Sequence, residues 1–240
     1  MKFNILAKTS DLSREEWLEI RKKGLGGSDA AAILGFNPWK SSIDVWLEKT
    51  GREIKDIDSE RMRIGRDLED YVAKRFAEAT GNKVIRRNAV LQSVVHEYMT
   101  ANVDRLIIGK NEGLECKVTN SFASSDWEEK IPLHYELQCH HYMAVTGADA
   151  WWIAALVGNE KISIHKIERD ENVIESLVSA EETFWKSYII TGELPPPDGS
   201  EASESAIKVL WPKASEGIEI ELKDDFDDLL SRRDELNKLS

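Results

Sequence analysis

The chain has 240 residues, enough for one sizeable α/β domain with an appendage and short for two full domains. With 41% hydrophobic and 32% charged residues it falls in the globular class, and its apolar runs stay below the roughly 18–20 residues that span a bilayer, so no membrane association is expected. A formal net charge of −12 excludes a generic basic nucleic-acid coat, but not an enzyme whose carboxylates hold metal and whose phosphate contacts are confined to a local basic cleft.

The opening residues Met1-Lys2-Phe3-Asn4-Ile5-Leu6 lack the apolar core and cleavage site of a signal peptide. Cys116 and Cys139 have no paired spacing, so the expectation is a cytoplasmic protein with reduced thiols. Ser13-Arg14-Glu15-Glu16 reads as a capping box, opening a helix that ends near Lys23-Gly24. Arg21, Lys22 and Lys23 suit the negative end of its dipole. The glycine-rich turn Gly24-Leu25-Gly26-Gly27-Ser28-Asp29 then feeds a small-residue helix, with Ser28 or Asp29 as its N-cap. Residues 42–50 form another helix, stopped by Gly51.

Residues 59–80 give the strongest helical pattern: Ile64, Leu68, Val72, Phe76 and Ala79 recur at steps of three and four before Gly81. Strands are predicted over 83–91, 99–108 and 113–119, then a helix over 132–145 stopped by Gly147. Residues 151–157 are a continuous apolar run of strand length, which reads as a strand buried on both faces. Residues 161–168 are its hairpin partner across Gly158-Asn159, and 171–191 a long helix. Pro195-Pro196-Pro197-Asp198-Gly199 closes a core of residues 1–194. Residues 195–240 are then a C-terminal extension packed on that core: a short helix, a strand at 217–222 and a charged helix at 224–238. This order argues for a mixed sheet flanked by helices.

One constellation carries chemistry. In the strand at 113–119, Glu115 and Lys117 share a face and Cys116 points away. The preceding strand carries Asp104, and the polar turn Gly109-Lys110-Asn111-Glu112-Gly113 folds the two together. A register that sets Asp104 opposite Lys117 gathers all three on one face; a one-residue slip separates them, and sequence does not fix the register. Hard carboxylate oxygens suit Mg²⁺, which lowers the pKa of bound water and offsets phosphate charge. A lysine beside it orients or deprotonates that water. Glu-x-Lys alone is common, recurring here at Glu53, Glu128 and Glu221, and a charged, solvated hairpin face is the plain alternative. By residue type alone, Glu69 is an exposed helix carboxylate and Gln138 an amphipathic boundary residue.

Five segments in order change that weighting: Gly26-Gly27-Ser28-Asp29-Ala30-Ala31-Ala32-Ile33-Leu34-Gly35, Gly65-Arg66-Asp67-Leu68-Glu69, Ala101-Asn102-Val103-Asp104, Leu114-Glu115-Cys116-Lys117 and Gln138-Cys139-His140-His141-Tyr142-Met143. Together they resemble the lambda-exonuclease-like branch of the PD-(D/E)XK nucleases, specifically the YqaJ-type phage recombinase domain. The resemblance implies an α/β restriction-endonuclease-like core with a central mixed sheet flanked by helices. It implies Asp104, Glu115 and the Cys116 carbonyl as metal ligands, Lys117 acting on the attacking water, Glu69 supporting a second metal or its waters, and Gln138 near the reacting phosphate. It further implies a pocket for a 5′-terminal phosphate at Arg21 and Ser28, with Asn102 where the lambda enzyme has a serine.

The activity so implied is a Mg²⁺-dependent, ATP-independent 5′-to-3′ exonuclease on linear duplex ends, with Mn²⁺ as a substitute. It leaves 3′ overhangs for a single-strand annealing partner and works as a homo-oligomer, a trimeric ring. Lys22, Lys23, Arg61, Arg63, Arg66, Arg86 and Arg87 are then candidates for a basic channel. The alternatives are a structure-specific or nicking endonuclease of the same fold, and a non-catalytic DNA-end-binding or partner-recruiting module. A zinc site at His134, Cys139, His140 and His141 is disfavoured, because neighbours on a helix diverge by about 100°. Trp39 and Phe36 are better candidates for touching a DNA end than Trp151 or Trp152, which sit in an apolar strand.

Overall fold

Ser13 caps the first helix as its sequence predicts: its hydroxyl accepts from the Glu16 N–H at 3.2 Å and Glu16 returns a bond to the Ser13 N–H at 2.8 Å. That helix, α1 (Arg14–Arg21), follows a short strand β1 (Asn4–Lys8) that the sequence pattern did not reveal. The computed structural model describes residues 1–10, 12–52, 59–128, 130–212, 231–233 and 235. Met1–Ile207 forms one compact unit and Lys208–Ser240 a second. The expected strand at 217–222, and most of the expected helix at 224–238, lie outside the described residues.

After α1 come α2 (Gly27–Ile33) and α3 (Ser42–Lys49). The N-cap of α2 is Gly26 rather than Ser28 or Asp29. Asp29 reaches back to accept the Gly26 N–H at 2.9 Å, so its carboxylate does the capping from inside the first turn. Gly27 is where α2 touches helix α5 (Leu133–Thr146): a Cβ there would lie 2.6 Å from the Tyr142 ring and 3.0 Å from Gln138 Cγ. No larger residue permits that approach.

Helix α4 (Glu60–Thr80) begins and ends as predicted. Its apolar stripe is seated only in part, with Val72 and Phe76 buried, Leu68 partly buried, and Ile64 and Ala79 exposed. The N-terminal part instead borders an open cleft through Arg61, Met62, Gly65 and Arg66.

The largest departure from expectation lies in the strands. The runs 83–91 and 99–108 are each divided between two sheets. β2 (Val84–Arg86) pairs with β5 (Arg105–Ile107), whereas β3 (Ala89–Gln92) pairs with β4 (Thr100–Asn102). The antiparallel ribbon bends between these halves and its strands switch sheets, a corner that accumulated twist favours. One sheet is β1-β3-β4. The other is β2-β5-β6-β7-β8, with β6 (Glu112–Thr119), β7 (Ala150–Val157) and β8 (Lys161–Glu168).

β6 and β7 run parallel over eight paired residues, with α5 as the crossover between them. β7 and β8 form the expected hairpin across residues 158–160, and Gly158 and Asn159 both take positive φ, 60° and 61°, as the central positions of the turn closed by the Glu160 N–H on the Val157 carbonyl. α6 (Glu171–Phe184) continues through one π turn at Trp185–Ile189, and α7 spans Glu201–Leu210. The five-stranded sheet thus has helices on both faces: α4 packs on Leu114, Ala154 and Leu156, while α5 and α6 share the larger core with Trp151 and Ile153.

Candidate active site

Alternation along β6 sends Leu114, Cys116 and Val118 toward α4 and leaves Glu115 and Lys117 on the α5 side. The β5–β6 ladder pairs Arg105 with Leu114 and Leu106 with Gly113. Extended by one residue, it sets Asp104 against Glu115, two residues from the register considered above. A shift of two preserves the face, so convergence survives.

Asp104 stands at the corner where the ribbon leaves one sheet for the other, and its Oδ2 accepts the Cys116 N–H at 2.8 Å. Glu115, almost fully buried, accepts through Oε1 from Lys117 Nζ at 2.7 Å and from Gln138 Nε2 at 2.7 Å. Lys117 also donates to Gln138 Oε1 at 3.2 Å and lies 4.7 Å from the centre of the Tyr135 ring. Gln138 completes its bonds with the Tyr142 hydroxyl at 2.6 Å.

The electrostatics are unbalanced toward negative charge. Burial, then Glu115 and Glu69, push the Asp104 carboxyl well above the usual carboxylate range, and Lys117 and the Cys116 amide offset this only in part. Lys117 is also pushed upward, which for an amine favours the charged form: burial disfavours its charge, but Glu115, Tyr135 and Asp104 outweigh it and hold the ammonium protonated. Glu115 Oε2 is buried and without a hydrogen-bond partner among the described residues. An ionised oxygen left in that state is costly unless a cation meets it. Two carboxylates side by side, one of them pushed toward its neutral form by burial and by the other, and one orphaned hard oxygen fit a divalent cation.

These groups open on a cleft of about 520 Å³ that is also lined by Glu69, Arg61, Arg66, Trp17 and Trp39. Glu69 faces it from α4 but is gripped by Arg105, a buried residue that also bonds Asp70 and the Asp104 carbonyl, and by Arg86 at 3.2 Å. Arg105 was missed in the sequence; its only signal was its place beside Asp104, pointing to the opposite face toward α4. Tyr135 and Tyr142 were missed too, because a tyrosine on an amphipathic helix reads as core.

Arg21, Ser28 and Asn102 lie on α1, α2 and β4, and no hydrogen bond joins the three among the described residues. Arg21 Nη2 pairs with Glu48 at 3.1 Å, Ser28 is exposed next to Gly27, and Asn102 Oδ1 is buried without a partner among the described residues. Trp39 is 65% exposed and meets His134 edge-on at 5.0 Å. Trp151 is fully buried, and Trp152 packs on Phe76 while donating to Glu112 at 2.7 Å. His141, fully buried, bonds Glu181 at 2.7 Å through Nδ1 and the Thr100 carbonyl at 2.8 Å through Nε2, so both its nitrogens serve as struts behind Gln138.

The profile of the YqaJ-like viral recombinase domain matches residues 16–149. The uncharacterized protein YqaJ of Bacillus subtilis (strain 168) is 40% identical over 222 residues, covering 91% of this chain and 70% of that protein. Among solved structures, the alkaline exonuclease LHK-Exo of Laribacter hongkongensis superposes with a TM-score of 0.61 at 18% identity, covering 72% of this chain and 91% of that one. A phage related exonuclease from Haemophilus somnus 129PT gives 0.52 at 14% identity, covering 71% and 96%. At these identities the likeness establishes the fold, a mixed sheet flanked by helices.

Proposed function

The chain belongs to the YqaJ-like viral recombinase family, and on that premise we propose that it is a Mg²⁺-dependent exonuclease that digests linear double-stranded DNA from the 5′ end. The observation that carries this reading is the bonded set Asp104, Glu115, Lys117 and Gln138, with one buried Glu115 oxygen left for a cation. The exonuclease names of the two structural neighbours support it.

Asp104, Glu115 and the Cys116 carbonyl would hold the metal. When bound there, a divalent cation lowers the pKa of a coordinated water and offsets charge on the scissile phosphate. Lys117 supplies a positive donor at the same edge, orienting the attacking water and stabilising charge on the phosphate oxygens. Gln138 fixes Glu115 and Lys117 relative to each other, since its amide accepts from one and donates to the other. Glu69, held by Arg105 and Arg86, would accept from metal-bound waters. Arg21, Ser28 and Asn102 would bind the 5′-terminal phosphate and so set direction and end specificity. Trp39, exposed at the cleft, would cover the terminal base. A 3′ overhang is the product, which suits an annealing protein as partner and a cytoplasmic setting; a trimeric ring would place Arg61 and Arg66 along a basic channel.

The test is digestion of linear and closed circular duplexes in Mg²⁺ without ATP. Mononucleotides released from the 5′ strand of linear DNA, with circles intact, are the expected result. Cleavage of circles would convert the reading to an endonuclease, and end binding without cleavage in Mg²⁺ or Mn²⁺ would convert it to a recruiting module.

A further inference from the structure

Beneath the N-terminus of α2 lies a charge network that links Arg21 through Glu48 and two lysines to the buried Asp29. Asp29 is fully buried; its Oδ1 accepts from Lys40 Nζ at 2.8 Å and its Oδ2 from Lys49 Nζ at 2.8 Å. Glu48 forms the second layer, accepting from Lys40 at 2.7 Å through Oε2, and from Lys49 and Arg21 Nη2 at 3.1 Å each through Oε1. Lys49 also donates to the Arg21 carbonyl at 3.0 Å, and the Arg21 guanidinium lies 4.7 Å from the Trp17 ring centre.

Three cations therefore meet two carboxylates. Lys40 and Lys49 each engage both acids. Of the two acids, Arg21 pairs with Glu48 alone among the described residues, through one terminal nitrogen, so its charge is the least compensated of the three. Burying so many charges is costly compared with apolar packing, and removing one partner of such a set is costlier still. A guanidinium held on one edge by a carboxylate and on one face by an indole has lost most of its rotamer freedom before any ligand arrives. Its remaining edge keeps the planar fork that matches phosphate oxygens. Binding then forgoes the ordering cost that a free arginine would meet.

We propose that Glu48, itself fixed by Lys40 and Lys49, is the positioning residue that orients Arg21 for a 5′-terminal phosphate. This rests on the phosphate-pocket reading above, and the experiment separates the two. Cleavage is measured on linear duplexes identical except for a 5′-phosphate or a 5′-hydroxyl, using the full chain, Arg21→Ala and Glu48→Gln. The readout is the ratio of kcat/KM for the two ends, because a general loss of folding weakens both alike.

The wild type should prefer the phosphate and Arg21→Ala should abolish the preference. Glu48→Gln should reduce it about tenfold, mainly through KM, the size expected for one charge-assisted bond. A preference kept or raised in Glu48→Gln, while Arg21→Ala loses it, overturns the positioning role. A wild type with no preference, or an Arg21→Ala variant that keeps it, overturns the pocket itself. Should Glu48→Gln fail to fold, guanidinium NMR of the wild type serves instead. Slow rotation of the Arg21 guanidinium before inorganic phosphate is added is expected, and free rotation would sink the proposal.

Discussion

Glu115 shows how a single side chain divides its work, with one oxygen spanning Lys117 and Gln138 and the other without a hydrogen-bond partner among the described residues. Glu115→Gln keeps the shape and removes the charge. Mg²⁺ should raise the thermal midpoint of the wild type and not of this variant, by linkage to a cation that only the native site binds. Lys117→Ala should lose cleavage by about 10²–10³-fold, the usual weight of a positioned donor that stabilises developing charge, while DNA-end binding by fluorescence anisotropy persists.

Asp29 gives a pH signature. Burial alone would raise its carboxyl, but Lys40, Lys49 and Arg21 more than reverse this and hold it well below the ordinary range. Glu48, raised by burial and by Asp29, is likewise brought below its ordinary range by Lys40, Lys49 and Arg21. Depressed acids stabilise the fold fully above the unfolded carboxylate range, and that contribution disappears as pH falls through their native values. Asp29→Asn should therefore cost about 3–5 kcal/mol at pH 7, since it removes the charge of the one fully buried carboxylate that pairs with both Lys40 and Lys49. Its denaturant midpoint should also fall less steeply below about pH 4 than that of the wild type.

Among the elements, α5 depends most on its neighbours. It presents Gln138 on one side and is held from behind by His141, which joins Glu181 on α6 to the Thr100 carbonyl on β4. His141→Ala should destabilise the protein by about 3 kcal/mol, because the buried Glu181 loses its hydrogen-bond partner; a smaller loss in urea unfolding would mean that α5 is held by packing alone. What was legible in sequence was local chemistry: the Ser13 cap, the Gly81 and Gly147 stops, the apolar run of β7 and the turn at Gly158-Asn159. What escaped it was decided by distant pairing. β1 exists because β3 offers an edge, and the long ribbon strands divide because two sheets compete for them. The site was readable through Asp104, Glu115 and Lys117 because a register shift of two leaves their face unchanged. Arg105, Tyr135 and Tyr142 were not, since nothing in their spacing separates them from ordinary packing residues.

At the scale of the whole molecule, an acidic chain, 44 Asp and Glu against 32 Lys and Arg, gathers Arg61, Arg66 and Lys117 at the cleft, with Arg105 buried close by. The cleft forms where the two sheets part company, and Asp104 occupies that corner. Its carboxylate is joined to the strand across from it through a single main-chain proton, that of Cys116. This makes the Cys116 amide a reporter on the Asp104 carboxylate. Drawing Asp104 toward a cation should move its ¹⁵N resonance and speed its exchange with deuterium. The amides of β7, two strands from Asp104, should stay silent as an internal clock.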